Sequence, residues 1–415
     1  MQTPPDATTG IRVGAGLSTN TDGLGATRAA LESALAEFTG VPDLLLLFVA
    51  PQYEREFEAI LRYANERADG ATLLGCSASG IIGGSREVED APAISVWAAQ
   101  LPGAAIRPYR LTFAREDDHA VIEGLDELPS PEESPVVLML ADPFSFPADV
   151  LLEHLNETAT GLPIIGGMAS GGLEAGRNVL FFNDEILRDG AVGVIITGAP
   201  GLSVFVSQGC RPVGETYGVT RAERNVVYEL AGAPSVRRIE ELYAAANERD
   251  QLLMRRGLHL GRAFTEIKPV LGRGDFLIRN VVGIDQDTGA IAISDMVEVG
   301  QTVQFQVRDA ESAREDLQLT LARERMAADG PIAGALLFSC NGRGTGLFGQ
   351  PDHDIGALHK AFGKVPVAGM FAAGEIGPVG GKNFLHGFTA AVLVVRDAEH
   401  ARYTDLVPSD PTTRK

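Results

Sequence analysis

Three short stretches decide how this chain folds: LLGCSASG at Leu73–Gly80, IIGGMASG at Ile164–Gly171 and VAGMFAAG at Val367–Gly374. Each runs small apolar residues into a glycine, two variable positions, an alanine, one further residue and a closing glycine. A short continuous apolar run suits a strand buried on both faces of a sheet, and the closing glycine suits a turn. Each stretch follows another apolar run and a segment with helical spacing. DLLLLFVA (Asp43–Ala50) leads to Glu54–Ala68, with Phe57, Ile60, Leu61 and Ala64 on one side. VVLMLADP (Val136–Pro143) leads to Pro147–Thr158, with Val150, Leu151 and Leu155 inward. GALLFSCNGRG (Gly334–Gly344) leads to Asp354–Phe362. A strand–helix–strand unit therefore occurs three times. The first two lie about 90 residues apart and the third about 200 beyond, a duplication rather than a short-period solenoid.

Around these units the chain is rich in strand signals. Ile11–Thr19 reads as a first strand, and Thr21 or Asp22 caps a helix near Gly25–Phe38. Ala91–Leu101, Ala105–Phe113, Asn178–Asp184, Ala191–Gly198 and Leu202–Gly209 favour strands. So do Thr216–Thr220, Asn225–Leu230, Phe276–Asp285, Ala290–Ser294 and Thr302–Arg308, with a hairpin turn at Asp287 and a helix over Ala310–Ala328. SREVEDAP (Ser85–Pro92) and the acidic Glu116–Pro135 read as solvated connections. The expected fold class is α/β: duplicated strand–helix–strand units in mixed, largely layered β-sheets and two associated domains. These span residues 10–215 and 216–400, with 1–9 and 408–415 disordered.

The chain has 415 residues, 45% hydrophobic and 22% charged, as in a soluble globular protein of more than one domain. A net charge of −20 repels phosphate polymers, so no nucleic-acid partner is expected. A local Arg or Lys still holds a small anion at short range. Three cysteines without a CxxC pair fit reduced thiols. No signal peptide is visible and no apolar run is long enough for membrane insertion, so the expected location is cytoplasmic.

The chemistry concentrates in FSCNGRGTGLFGQPDHD, Phe338–Asp354. Gly342, Gly344, Gly346 and Gly349 make a bare turn around Cys340, Asn341 and Arg343. Such a turn exposes backbone N–H groups for an anion. Arg343 would grip a carboxylate with two hydrogen bonds and Asn341 would orient it, with Gly344 beside them. The alternative is that Arg343 pairs with Asp352 or Asp354 and holds the loop shut. The last unit adds Glu375, Lys382, Asn383 and His386. Arg343 and Glu375 together suit a zwitterion, or else an internal salt bridge. Cys76 and Ser77 occupy the matching corner of the first unit and complete the candidate ligand-binding set, in a pocket formed by the loops of the first and third units.

Cys340, His386 and Glu375 also have the residue types of a cysteine nucleophile, its base and an orienting acid. No GxSxG elbow accompanies them. His353 and His359 lie six apart, the wrong spacing for two metal ligands on one helix face, and His119, His154, His259 and His400 read as isolated surface positions. No phosphate-binding glycine motif occurs, and no cofactor is expected.

In order along the chain, STNTDGLGATRAALESAL (Ser18–Leu35), LLGCSASGIIGG with the following VED, IIGGMASGG, SQGCRPVGETYGVTRAERN (Ser207–Asn225), FLIRNVVGID, LLFSCNGRGTGLFG and PVAGMFAAGEIGPVGGKNFLHGFT (Pro366–Thr389) resemble the FIST family, F-box and intracellular signal transduction proteins. The resemblance covers nearly the whole chain. It implies an N-terminal and a C-terminal FIST domain and a sensor of small ligands, with amino acids or similar small carboxylates as ligands. An unknown signalling protein would read the bound state, since no output module is visible. A thiol-dependent enzyme using Cys340 is the alternative activity, although the resemblance points away from catalysis, and a protein-interaction scaffold is the third.

Overall fold

In a computed structural model of the chain, residues 10–116, 119–125, 127–199, 201–264, 271–272, 274–327 and 330–397 are described. The disorder expected for 1–9 and 408–415 falls outside them. The fold is α/β, built on three parallel strand pairs. Leu44–Val49 pairs with Thr72–Ser77, Val136–Ala141 with Ile164–Met168, and Ile332–Cys340 with Val367–Ala372. Helices Phe57–Ala68, Ala148–Thr158 and His353–Phe362 make the crossovers.

The repeated glycine has a steric cause. Leu47 faces Gly75, Met139 faces Gly166 and Leu337 faces Gly369 across the paired strands. A β-carbon on those glycines would meet the facing carbonyl oxygen at 2.0, 1.8 and 1.8 Å. Only a residue without one lets the two backbones come this close.

Each parallel pair is extended in the same way. On the side of its first strand lie Ile94–Gln100, Ala191–Thr197 or Thr389–Arg396, all antiparallel. Beyond these come Arg12–Ser18, Ala105–Glu116 and Leu202–Gln208. On the side of the second strand the copies exchange hairpins. Gly80–Gly83 and Arg86–Glu89 follow the first copy but pair onto Val367–Ala372 of the third. Leu180–Phe182 and Glu185–Leu187 follow the second but pair onto Thr72–Ser77 of the first. Glu375–Val379 and Lys382–His386 follow the third, and Glu375 and Ile376 pair onto Gly167 and Gly166 of the second. The exchange is cyclic, and the repeat is larger than a strand–helix–strand unit.

Polar side chains fasten the exchanged hairpins to their hosts. Asn183 Oδ1 accepts from Leu73 N at 3.1 Å. Asn383 Oδ1 accepts from Ile164 N at 2.9 Å, and its Nδ2 donates to the Leu162 carbonyl at 2.7 Å. The three glycine corners meet at Ser170. Its hydroxyl accepts from Ser79 N at 3.0 Å and donates to the Phe371 carbonyl, while its own N–H donates to Ser77 O at 3.2 Å.

Two compact units result, and they interleave along the chain. The first holds residues 1–206, 318–385 and 390–415; the second holds 207–317 and 386–389. The linear division expected at 215/216 therefore does not match the compact units, because the third copy's own strands flank the inserted one. The second unit is an antiparallel sheet in the order Cys210–Glu223, Thr302–Arg308, Leu258–Ala263, Phe276–Asp285, Ala290–Ile293, Val226–Leu230 and Ala233–Pro234. Cys210–Glu223 also pairs with Val226–Leu230, so six strands close on themselves and, among the described residues, no long edge is left open. Val219, Val227, Leu260, Ile291, Val303, Phe305 and Val307 fill its core.

Two expected connections are structured instead. Within Ser85–Pro92, Arg86–Glu89 is a strand with Glu87 and Val88 buried. Within Glu116–Pro135, His119–Glu123 pairs with Ala105–Glu116. Their charges suggested solvent, but Glu87 and Glu89 of the first meet helix termini of another copy. Among the described residues no helix is long and apolar enough to cross a membrane.

Gly369→Ala should destabilise the chain by about 1–3 kcal/mol through overpacking. Gly346→Ala, where a β-carbon meets nothing within 4 Å, should leave stability within about 0.5 kcal/mol of the parent. Urea unfolding of the two variants measures the contrast.

Candidate functional site

The third corner carries the charged chemistry. The strand Ile332–Cys340 ends in a turn whose Asn341 N donates to Ala372 O at 3.0 Å, and Arg343 N returns to Cys340 O at 2.8 Å. Cys340 is partly exposed, Asn341 is exposed, and Gly342 N donates to Cys340 Sγ at 3.4 Å. Arg343 goes the other way, into the interior, with 1% of its surface exposed. Its Nε and Nη2 donate to the two oxygens of Asp354 at 2.7 and 2.8 Å. Ser339 Oγ donates to the same carboxylate at 2.8 Å, and His353 Nδ1 lies 2.8 Å from it. The Phe348 ring stacks on the His353 imidazole with centroids 3.4 Å apart, and the guanidinium lies 5.2 Å from the Phe348 centroid.

Of the two fates expected for Arg343, pairing with Asp354 is realised for two of its nitrogens. The third, Nη1, is buried and has no hydrogen-bond partner among the described residues. Burial opposes the charge on both partners. The guanidinium and its hydrogen bonds nevertheless hold Asp354 well below the ordinary carboxylate range. Asp354, with Cys340 and Glu375 as smaller contributors, raises Arg343.

The helices of this corner are capped by another copy. Asp352 precedes the helix His353–Phe362 with φ +58° and does not cap it. Instead Glu87 of the exchanged hairpin accepts from His353 N at 3.1 Å and Ile355 N at 2.8 Å, while Asp352 accepts from Glu87 N at 2.6 Å. Glu89 accepts from Thr345 N and Oγ1 at 2.9 and 2.7 Å, at the start of the helix Gly344–Phe348. Gly344 has φ +55°, and a β-carbon there would lie 2.6 Å from the Glu89 carboxylate. Its bareness therefore serves a cap from the protein's own acid. Burial, and then the neighbouring Asp354 charge, push the Glu87 carboxyl up to about 8.

The remaining candidates have distinct places. Glu375 is fully buried on the exchanged hairpin, opposite Gly167, and its charge reaches Arg343. Lys382 is exposed at the start of the next strand. His386 is buried and belongs to the second compact unit. Cys76 is fully buried with its Sγ 3.1 Å from Met370 Sδ, and burial pushes its thiol far up. Ser77 is also fully buried, its Oγ accepting from Val179 N at 2.9 Å. These two belong to the packed junction of the corners. A glycine-loop groove of about 360 Å³ does exist, but the second and first copies form it, through Gly171, Gly172, Pro51, Glu54 and Arg177.

Among the other histidines, His154 is exposed as expected and His400 falls outside the described residues. His353 packs on Phe348, and His359 Nε2 lies 3.1 Å from Val365 O. His259, expected at the surface, is 7% exposed because its strand lies between two others. The sequence offered Asp354 as a partner of Arg343, but Glu87 and Glu89 were missed: they stand more than 250 positions away, and nothing local ties them to the arginine turn.

Asp354→Ala should cost about 3–5 kcal/mol in urea unfolding, since it strands a buried guanidinium. The pH dependence follows from proton counts. Between the ordinary carboxylate range and about 8, the folded chain keeps a proton on Glu87 that the unfolded chain has lost. Stability should therefore fall as pH rises from 6.5 to 8, and Glu87→Gln should flatten that slope in unfolding curves taken across the window.

Comparison with known proteins agrees with this architecture. The model of the FIST N domain matches residues 43–233 and that of the FIST C domain matches residues 236–378. The uncharacterized protein Rv0628c of Mycobacterium tuberculosis is 43% identical over 388 residues, covering 93% of this chain and all of that protein. The uncharacterized protein Mb0898c of Mycobacterium bovis is 40% identical over 391 residues, covering 94% of this chain and all of that protein. With both domain models in sequence and relatives matched over their full length, the chain belongs to the FIST family of sensory, signal-transduction domains.

Proposed function

We propose that the third corner reads a small carboxylate-bearing metabolite, amino acids among them, and that a partner protein senses the bound state. The observation that supports this is Arg343 Nη1, a cationic donor held in the interior without a hydrogen-bond partner among the described residues, directly beneath a glycine turn. A carboxylate is the ligand group that matches it. Glu375, within electrostatic reach of the same guanidinium, complements an ammonium. Entry requires the Asn341–Gly344 turn to open. The helix after it is only five residues long and is capped by Glu89 from another hairpin. Ligand occupancy would therefore move a small element at the surface, which is the kind of change a partner detects.

A thiol-dependent activity is favoured by one observation. Cys340 is the partly exposed cysteine, with a backbone N–H directed at its sulfur and the Arg343 charge nearby, whereas Cys76 and Cys210 are buried. Cys340→Ala separates the readings, since a binder keeps its ligand and an enzyme loses turnover.

A thermal-shift series with amino acids and small organic acids tests the binding reading, because a ligand of the native state must stabilise it. At least one carboxylate should raise the melting temperature. Asn341→Ala should weaken that ligand by about tenfold, the loss of one hydrogen bond to a charged group, without changing the unliganded transition. No shift from any carboxylate, or an undiminished shift in Asn341→Ala, rejects the proposal.

A further inference from the structure

The strand Thr302–Arg308 divides its side chains by alternation. Val303, Phe305 and Val307 enter the core of the second unit, so Gln304, Gln306 and Arg308 share the opposite face. On the neighbouring strand, His259 stands across from Gln306 and Gly261 across from Gln304. Gly261 leaves room for Gln306, whose Nε2 would be 2.8 Å from a β-carbon there. His259, Gln304 and Gln306 are 7%, 8% and 1% exposed. Polar groups this deeply buried normally have partners. Gln306 Nε2, Gln304 Oε1 and both nitrogens of His259 have none in hydrogen-bonding geometry among the described residues, although the Asn280 side chain lies beside the imidazole. Gln304 is fixed in orientation, because its Nε2 donates to Gly214 O at 2.7 Å. Phe388 adds a flat wall, its ring 4.4 Å from the His259 ring, and the Arg308 guanidinium lies 5.0 Å from the Phe388 centroid.

This set selects by charge. Burial, and then the Arg308 charge, lower His259 to about 4, so its ring is neutral at pH 7 and offers one donor and one acceptor. Gln306 adds a donor and Gln304 an acceptor. An ammonium would face the Arg308 charge, and a carboxylate has no hydrogen to give the Gln304 carbonyl. A neutral group with a donor and an acceptor side by side satisfies both amides.

We infer that the second unit binds a small neutral molecule with a planar amide edge on the face formed by His259, Gln304, Gln306 and Phe388. It is built from other residues than the Arg343 corner and does not rest on the carboxylate proposal.

Thermal shift and calorimetry on the full chain with nicotinamide, uracil and adenine as probes test it. At least one probe should raise the melting temperature of the wild type. Gln306→Leu removes a buried amide without a partner, so the unliganded protein should be as stable or more so, while probe affinity falls tenfold or more. If Gln306→Leu does not fold, Gln304→Leu, which also gives up the hydrogen bond to Gly214 O, carries the comparison of probe affinity. Failure of all three probes to bind the wild type, as when only water fills the face, overturns the inference. So does equal binding to the leucine variant.

Discussion

A carbonyl oxygen pressed against a glycine, repeated in three parallel strand pairs, is the contact on which the first unit depends. At Gly75, Gly166 and Gly369 the facing oxygen leaves no room for a β-carbon. The strands approach closely there, and the chain leaves each pair within a few residues to join another copy's sheet. The hairpins cannot exchange cyclically unless all three corners reach the same place. Ser170, bonded to the backbone of both other corners, marks that place.

Exchange also explains why Glu87 lies in the interior and Glu89 is half-buried beside it. Glu87 and Glu89 belong to the first copy but serve helix termini of the third, more than 250 positions away. Once the hairpin docks, backbone N–H groups of His353, Ile355 and Thr345 replace water around their carboxylates. A buried pair of this kind is weak evidence for stability gained, yet breaking it is costly. The arrangement fixes which hairpin sits on which sheet, since no other has acids at these positions. The three copies are not chemically equivalent. After the first strand of the pair, the first two copies place Ala50–Pro51 and Asp142–Pro143, while the third places Asn341–Gly342. Proline fixes φ in the first two turns and glycine frees the third, which is where a turn that opens would be found.

The second unit solves a different problem. Six of its strands close into a ring, which pairs the edges that an open sheet would offer to another chain. One face of those strands makes an apolar core, and alternation leaves His259, Gln304 and Gln306 together on the other. Interiors seldom tolerate polar atoms without partners, so this face is distinctive for what it lacks.

The strands and helices were legible because their signals are local. LLLLFV, VVLMLA and ALLF announce buried strands, Asp22 does cap the first helix, with its Oδ2 accepting from Gly25 N at 2.8 Å, and the shared glycine marks the repeat. Family membership was legible for the same reason, through motifs in a fixed order. Charge patterning misled at Arg86–Glu89, where acids looked solvated, and at His259, where a lone histidine looked exposed. Burial of those groups follows from which strand becomes a neighbour. The sequence alone could place Arg343 on a glycine turn and name both Asp352 and Asp354 as candidate partners. Only the tertiary structure chose Asp354, brought Glu87 to the same helix from the first copy, and sent His386 to the other unit. Pairings across hundreds of residues are decided by packing and loop closure, which leave no periodic trace in the chain.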